Sequence, residues 1–322
     1  MSGNRPLVPP TATERRFVRS HSPSPAFRSA AGEAAFRAAY AAALDLWPVP
    51  YETMDIVGHY GSTRLVVCGP ERAPPLVLLH GFSATLTMWS ANIADLSRAH
   101  RVYALDVMGQ PGLSVPYKSM STRADCVAWL TSILDVLRIE RASFIGMSYG
   151  GWLALNFAIG APDRVDTLVL LSPAGSFVSM AWQLYARALW LFAVPTRAVA
   201  ARFLRWFAHP TSLRDPRTRA VLECMVDLLY LGARHFRLQR AARPCVFGDD
   251  ELRSVRVPTL LLTGEQEVIH DPVATLARAR ALIPGVEGAL VPDARHDMAI
   301  GQRAVVNRRI LDFLERRRQP RA

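Results

Sequence analysis

The chain has 322 residues, 50% of them hydrophobic, with 38 basic against 27 acidic residues and a net charge of +11 at pH 7. That is enough apolar material for one large core, and no apolar run approaches the ~18 residues of a membrane-spanning helix. All basic residues except Lys118 are arginines; no basic helix is interleaved with stacking aromatics, so the charge reads as a solvated surface and not as a nucleic-acid-binding or membrane-binding face.

Residues 1–25 read as a disordered, Pro- and Arg-rich leader. Arg15-Arg16 is followed by no long apolar stretch, so an export signal is not expected and the expected location is cytoplasmic. Residues 26–46 space Phe27, Phe36, Tyr40, Leu44 and Leu46 as an amphipathic helix, stopped by Pro48 and Pro50. Residues 52–57 and 63–68 follow as an antiparallel strand pair turning at Gly58 and Gly61.

Strand and helix then alternate. Residues 76–79 are a short, fully apolar run, the kind buried on both faces of a parallel sheet, and 102–105, 144–147, 167–171 and 258–262 read as further short strands. A last short strand is expected near 288–291. Helices are expected near 87–96, 122–138, 272–283 and 302–316, and directly after residue 148. Such alternation predicts a doubly wound, mostly parallel α/β sheet with right-handed crossovers.

The interval 174–252 breaks the rhythm. Trp182, Tyr185, Leu189, Trp190, Phe203, Trp206 and Phe207 recur there at helical spacing. It reads as a helical cap inserted between two parts of the core, 26–173 and 253–322. Trp182, Tyr185 and Trp190 are candidate substrate contacts, set against packing within the cap. The four cysteines form no C-x-x-C pair, and Cys68 and Cys126 are expected to be core thiols.

Gly146-Met147-Ser148-Tyr149-Gly150 fits G-x-S-x-G between a strand and a helix, the nucleophile elbow. A turn this sharp strains Ser148, crowds out a Cβ at its flanking glycines and lifts the hydroxyl off the sheet. Serine then needs a base, and the base an orienting acid. His296 is the one histidine between the last strand and the last helix. For the acid, Glu267 follows the strand at 258–262. Glu265 abuts Gly264 and is expected to hold the turn, while Asp271 before Pro272 suits a helix N-cap. Leu79-His80-Gly81-Phe82 ends a strand with a His-Gly turn, so the Phe82 and Tyr149 amides are the candidate oxyanion donors. His80 is expected to hold that turn by side-chain hydrogen bonds and not to act as a base.

These segments, with Asp106, Gly109 and Gly112-Leu113-Ser114, resemble the α/β-hydrolase superfamily from about residue 46 to 316. The nearest likeness is to bacterial carboxylesterases with a helical cap, which share a segment like Leu46-Trp47-Pro48-Val49 and carry Glu as the triad acid. The resemblance implies Ser148 as nucleophile, His296 as base, Glu267 as acid, and Phe82 and Tyr149 as oxyanion donors. Two departures stand out: Arg295 where relatives carry Gly, and Gln110-Pro111 in the loop after the fourth strand.

The expected activity is hydrolysis of small carboxylic esters of hydrophobic or aryl character, without metal or organic cofactor, by a monomer or homodimer. The same triad could serve a lactonase, thioesterase, amidase, C–C hydrolase or perhydrolase. Ser148 in the nucleophile position disfavours a haloalkane dehalogenase or epoxide hydrolase, which use a carboxylate there. A hydrolase-fold ligand-binding signalling protein is the rival from another class.

Overall fold

The computed structural model describes residues 25–318 except Leu238. Of the expected leader it therefore describes only Pro25; residues 1–24 lie outside. The first helix, α1 (Ala30–Leu44), is capped by Ser29, whose hydroxyl accepts from the Gly32 amide. It buries Phe36 and Tyr40. Next come β1 (Glu52–Gly58), β2 (Gly61–Cys68) and β3 (Pro75–Leu79).

The helix expected near 87–96 is two pieces: a 3-10 turn over Leu86–Ala91 and α2 (Ile93–Leu96). Asn92 between them is buried, and its side-chain amide donates to the Ala299 carbonyl and to Asn307. That tertiary demand interrupts the helix. After β4 (Arg101–Leu105), a short β5 (Val115–Pro116) pairs with the start of β2, which local sequence did not suggest. There follow α3 (Arg123–Val136), with a Thr122–Asp125 capping box, β6 (Ala142–Met147), α4 (Tyr149–Gly160) and β7 (Val165–Leu171).

Among the described residues the sheet has nine strands; eight run in the order β1-β2-β4-β3-β6-β7, continued by β8 (Thr259–Gly264) and β9 (Glu287–Val291), and β5 lies off this path beside β2. Pairing is parallel from β4 to β9 and antiparallel at β1–β2 and β2–β4. The apolar runs are buried on both faces, as period-2 geometry requires. Val77 and Leu79 enter the core with α3 and α4, while Leu76 and Leu78 enter the one packed by α1 and the C-terminal helix. Cys68 and Cys126 are buried, and burial pushes their thiols up to about 11 and about 12.

Three helices form the cap: α5 (Trp182–Ala193), α6 (Arg197–Phe207) and α7 (Pro216–His235). They share a small core of Leu191, Ala200, Leu204, Val226, Leu229 and Ala233. Beyond α7 the chain returns toward the sheet. Ala242 N–H donates to Met120, Phe247 N–H to Ser176, and Phe247 is buried in the main core. The stretch from about 242, with α8 (Asp249–Ser254), thus packs on the main body. After α9 (Pro272–Leu282), the chain closes with α10 (Met298–Gly301) and α11 (Arg303–Arg318).

Candidate active site

From β3 the chain crosses to β4 on one side, and later returns to β6 on the other. The carboxyl ends of β3 and β6 thus flank a topological switch point, where open α/β sheets place their ligand crevice. Ser148 stands there, between β6 and α4, with φ +54° and ψ −114°. This is left-handed-side backbone that L residues avoid unless their surroundings impose it. The surroundings are tight. A Cβ on Gly146 would overlap the Gly150 carbonyl, and one on Gly150 would overlap the Leu79 carbonyl. The Ser148 amide is held by the Leu171 carbonyl at 2.9 Å.

Two loops bring the other partners. Glu267 lies in the turn after β8, and His296 in the loop after β9. Backbone bonds join the loops: Gln266 N–H to Ala294 O and Glu265 N–H to Val291 O, both 2.9 Å. His296 Nδ1 is 3.1 and 3.0 Å from the two Glu267 oxygens. Glu267 Oε1 also accepts from the amides of Val268 and Ile269, at 2.8 and 3.1 Å. Burial alone would push this carboxyl up; the charge of, and hydrogen bond from, His296 override that and hold it at about 2. A carboxylate can only accept, so Nδ1 carries the proton and Nε2 is left as the acceptor.

The rival acids stand apart from His296. Glu265 is exposed, and Asp271 caps α9 by accepting from Val273 and Ala274. His80 is buried, its Nδ1 donating to the Gly81 carbonyl and its Nε2 accepting from Val107, each at 2.8 Å. With both ring nitrogens committed and burial lowering its pKa, it holds the turn as a neutral imidazole. Gly81 comes against Ser148, where an added Cβ would lie 3.5 Å from the serine Cβ. Tyr149 opens α4, so its N–H has no partner within the helix.

Ser148, His296, Phe82 and Tyr149 line one cavity of about 340 Å³ between the cap and the sheet. Its other walls are mainly apolar, among them Met88, Leu184, Phe192, Leu222 and Leu229. The three aromatic residues expected to touch substrate separate. Tyr185 lines the cavity, but Trp182 and Trp190 do not; they are 72% and 59% exposed on the outside of α5. Helical spacing shows that such residues share a helix, not which face turns inward. Arg295 also stays out of the cavity, reaching instead to the Ala208 carbonyl at 3.5 Å beyond the end of α6.

Several contributors were not expected. Gln110 Oε1 accepts from the Ser83 amide at 3.0 Å, fixing the residue after Phe82. Phe207 places its ring 4.8 Å from that of His296. Asp297 lines the cavity, and burial raises its carboxyl. His270 lies buried beside Thr263, and burial, opposed by the charge of Glu267, lowers it to about 4. Gln110, as a departure from the family pattern, and Phe207, as one of the cap aromatics at helical spacing, carried a signal in the sequence. No cluster of three or more His, Cys, Asp or Glu that could hold a metal occurs among the described residues.

The α/β-hydrolase fold family model matches residues 74–301. The chain belongs to that family. A carboxylesterase of Bacillus subtilis, nap, is 39% identical over 275 residues, covering 85% of this chain and 90% of its own length. The Bacillus subtilis carboxylesterase YbfK is 35% identical over 87% of this chain and 93% of its own. Among solved structures, naproxen esterase from Bacillus subtilis superposes with a TM-score of 0.80 at 36% identity, covering 89% of this hydrolase and 99% of that chain. Within the family a helical cap over a Ser–His–acid crevice suits acyl transfer, in which the serine attacks, the histidine shuttles one proton and two amides receive the oxyanion. No helix among the described residues is long and apolar enough to cross a membrane.

Proposed function

We propose that this hydrolase is a serine carboxylesterase using Ser148, His296 and Glu267. The carrying observation is His296, held by Glu267 at 3.0 Å and lining the same cavity as a serine at φ +54°. Ser148 Oγ attacks the ester carbonyl while His296 Nε2 takes its proton. The tetrahedral oxyanion is received by the amides of Phe82 and Tyr149. The C–O bond then breaks, and the alcohol leaves with the proton from His296, giving an acyl-enzyme. Water, deprotonated by His296, attacks the acyl carbon, and the acid departs as Ser148 regains its proton.

Glu267 keeps the imidazole in the required tautomer and stabilises the imidazolium formed in each half-reaction. No step calls for a metal or an organic cofactor. The apolar walls favour small esters with a hydrophobic or aryl group, which gain from leaving water. The two Bacillus carboxylesterases support the ester class. We read the protein as cytoplasmic and acting as a monomer or homodimer.

The test is labelling by a fluorophosphonate alongside turnover of p-nitrophenyl acetate to octanoate, wild type against Ser148→Ala. Labelling and sustained turnover, both lost in the variant, are expected. Labelling without turnover would favour a ligand-binding signalling protein on this fold, and undiminished turnover by the variant would overturn the serine mechanism.

A further inference from the structure

The outer face of α5 is apolar and bare. Trp182 and Leu189 are each 72% exposed, Trp190 59% and Tyr185 57%. Their spacing of i, i+3, i+7 and i+8 sets them on one stripe. The helix already has another face for packing: Leu191 is buried in the cap core, and Leu184 and Ala188 line the cavity. The stripe is continuous with the cavity mouth, because Tyr185 and Leu189 belong to both and the half-exposed Phe82 also lines it. Soluble monomers seldom leave large apolar side chains gathered on one face without a partner for them.

Charge is the second observation. Residues 182–243 contain eleven arginines and three acidic residues, so this stretch holds eight of the chain's eleven net positive charges. The three acids are already engaged: Glu223 and Asp227 by Arg197, and Asp215 by Arg303 of the body. At the edge of the stripe the Arg187 guanidinium lies 4.7 Å from the centroid of the Trp206 ring on α6. Arg202, one turn before Trp206, is exposed on the same side of α6.

The charge alone reads as a solvated surface; joined to this exposed apolar stripe it reads differently, and we propose that this face docks on an anionic lipid–water interface. Trp182, Leu189 and Trp190 enter the headgroup region, and cap arginines meet the lipid phosphates. Indole partitions well into that interface, and basic residues add their attraction to a negative surface. A second copy of the chain is the other apolar occupant to consider. A symmetric α5–α5 contact would, however, bring together two caps carrying eight net positive charges each. Anionic lipid meets both the stripe and the charge. If the esterase reading holds, the cavity mouth then faces the lipid, and an apolar ester can enter without first dissolving in water.

The full-length protein should be sedimented with vesicles of phosphatidylcholine alone and of phosphatidylcholine mixed with phosphatidylglycerol, at low and high salt. Binding to the mixed vesicles is expected to be about tenfold tighter or more, and to lose that advantage at high salt. The double variant Trp182→Ser, Trp190→Ser should bind them about tenfold more weakly. Both residues are exposed and outside the cavity wall, so its thermal melt should match wild type. Three results would overturn the proposal: equal or no binding to the two vesicle types by wild type, unchanged binding by the double variant, or a wild-type dimer in sedimentation velocity that the double variant dissolves. None of these readouts needs ester turnover, so failure here and failure of the esterase reading are distinguishable.

Discussion

Both oxygens of the Glu267 carboxylate lie against His296 Nδ1, and Oε1 is shared with the Val268 and Ile269 amides. The acid is thus clamped by its own turn before it orients the base. Glu267→Gln keeps the shape but can present the wrong hydrogen-bonding group to Nδ1. It should lose roughly 10²–10⁴-fold in kcat. Asp271→Asn, at a helix cap, should leave kcat near wild type and cost at most about 1 kcal/mol of stability. Ester turnover and thermal melts on both variants check this, and a reversal of the two effects would move the acid to Asp271.

Stability should fall in mild acid. An unfolded histidine takes its proton near pH ~6.5, whereas burial lowers folded His270 to about 4. Between those values the unfolded chain binds more protons, so the stability present above the upper value is lost as pH falls through the window. His270→Gln should flatten the urea midpoint against pH over that range. A residual slope is expected from His80, also lowered by burial. An identical slope in the variant would show that His270 is not held neutral.

Gly150→Ala should be among the most damaging small substitutions in the chain. The added methyl would meet the Leu79 carbonyl, which is backbone at the end of a central strand and cannot rotate away. A loss of about 4 kcal/mol or more is expected, seen as a collapsed thermal melt or insoluble protein. A melt close to wild type would mean that the elbow is looser than its contacts imply.

Gln110→Ala leaves the buried Ser83 amide without its acceptor. About 1–3 kcal/mol of stability should be lost, and kcat should fall with little change in KM, because the freed segment carries the Phe82 amide. An unchanged kcat would detach Gln110 from oxyanion positioning.

Much of the candidate site is legible in the sequence. Ser148 is marked by its two glycines, His296 by lying between the last strand and the last helix, and Glu267 by a turn in which its rivals had other work. Local backbone demands of this kind are written in adjacent residues. The cap was legible only as helix. Whether Tyr185 or Trp182 meets the cavity depends on how α5 is rotated against α6 and the body, and a period of 3.6 residues does not reveal that. Likewise nothing beside Gln110 announces its bond to Ser83, 27 positions away.

The sequence by itself determined the parallel centre of the sheet, because short apolar runs such as Leu76 to Leu79, recurring between helical segments, suit strands buried on both faces of an α/β core. It also determined the elbow: Gly146 answers to Gly150 four residues on, although Gly150 itself answers to Leu79 of the neighbouring strand. Only the tertiary structure decided where the cap ends, which side of α5 is wet, and that Arg295 turns to Ala208 while His296 turns to the cavity. Those outcomes rest on packing between segments remote in the chain, where geometry is set by the sum of contacts and not by any local pattern.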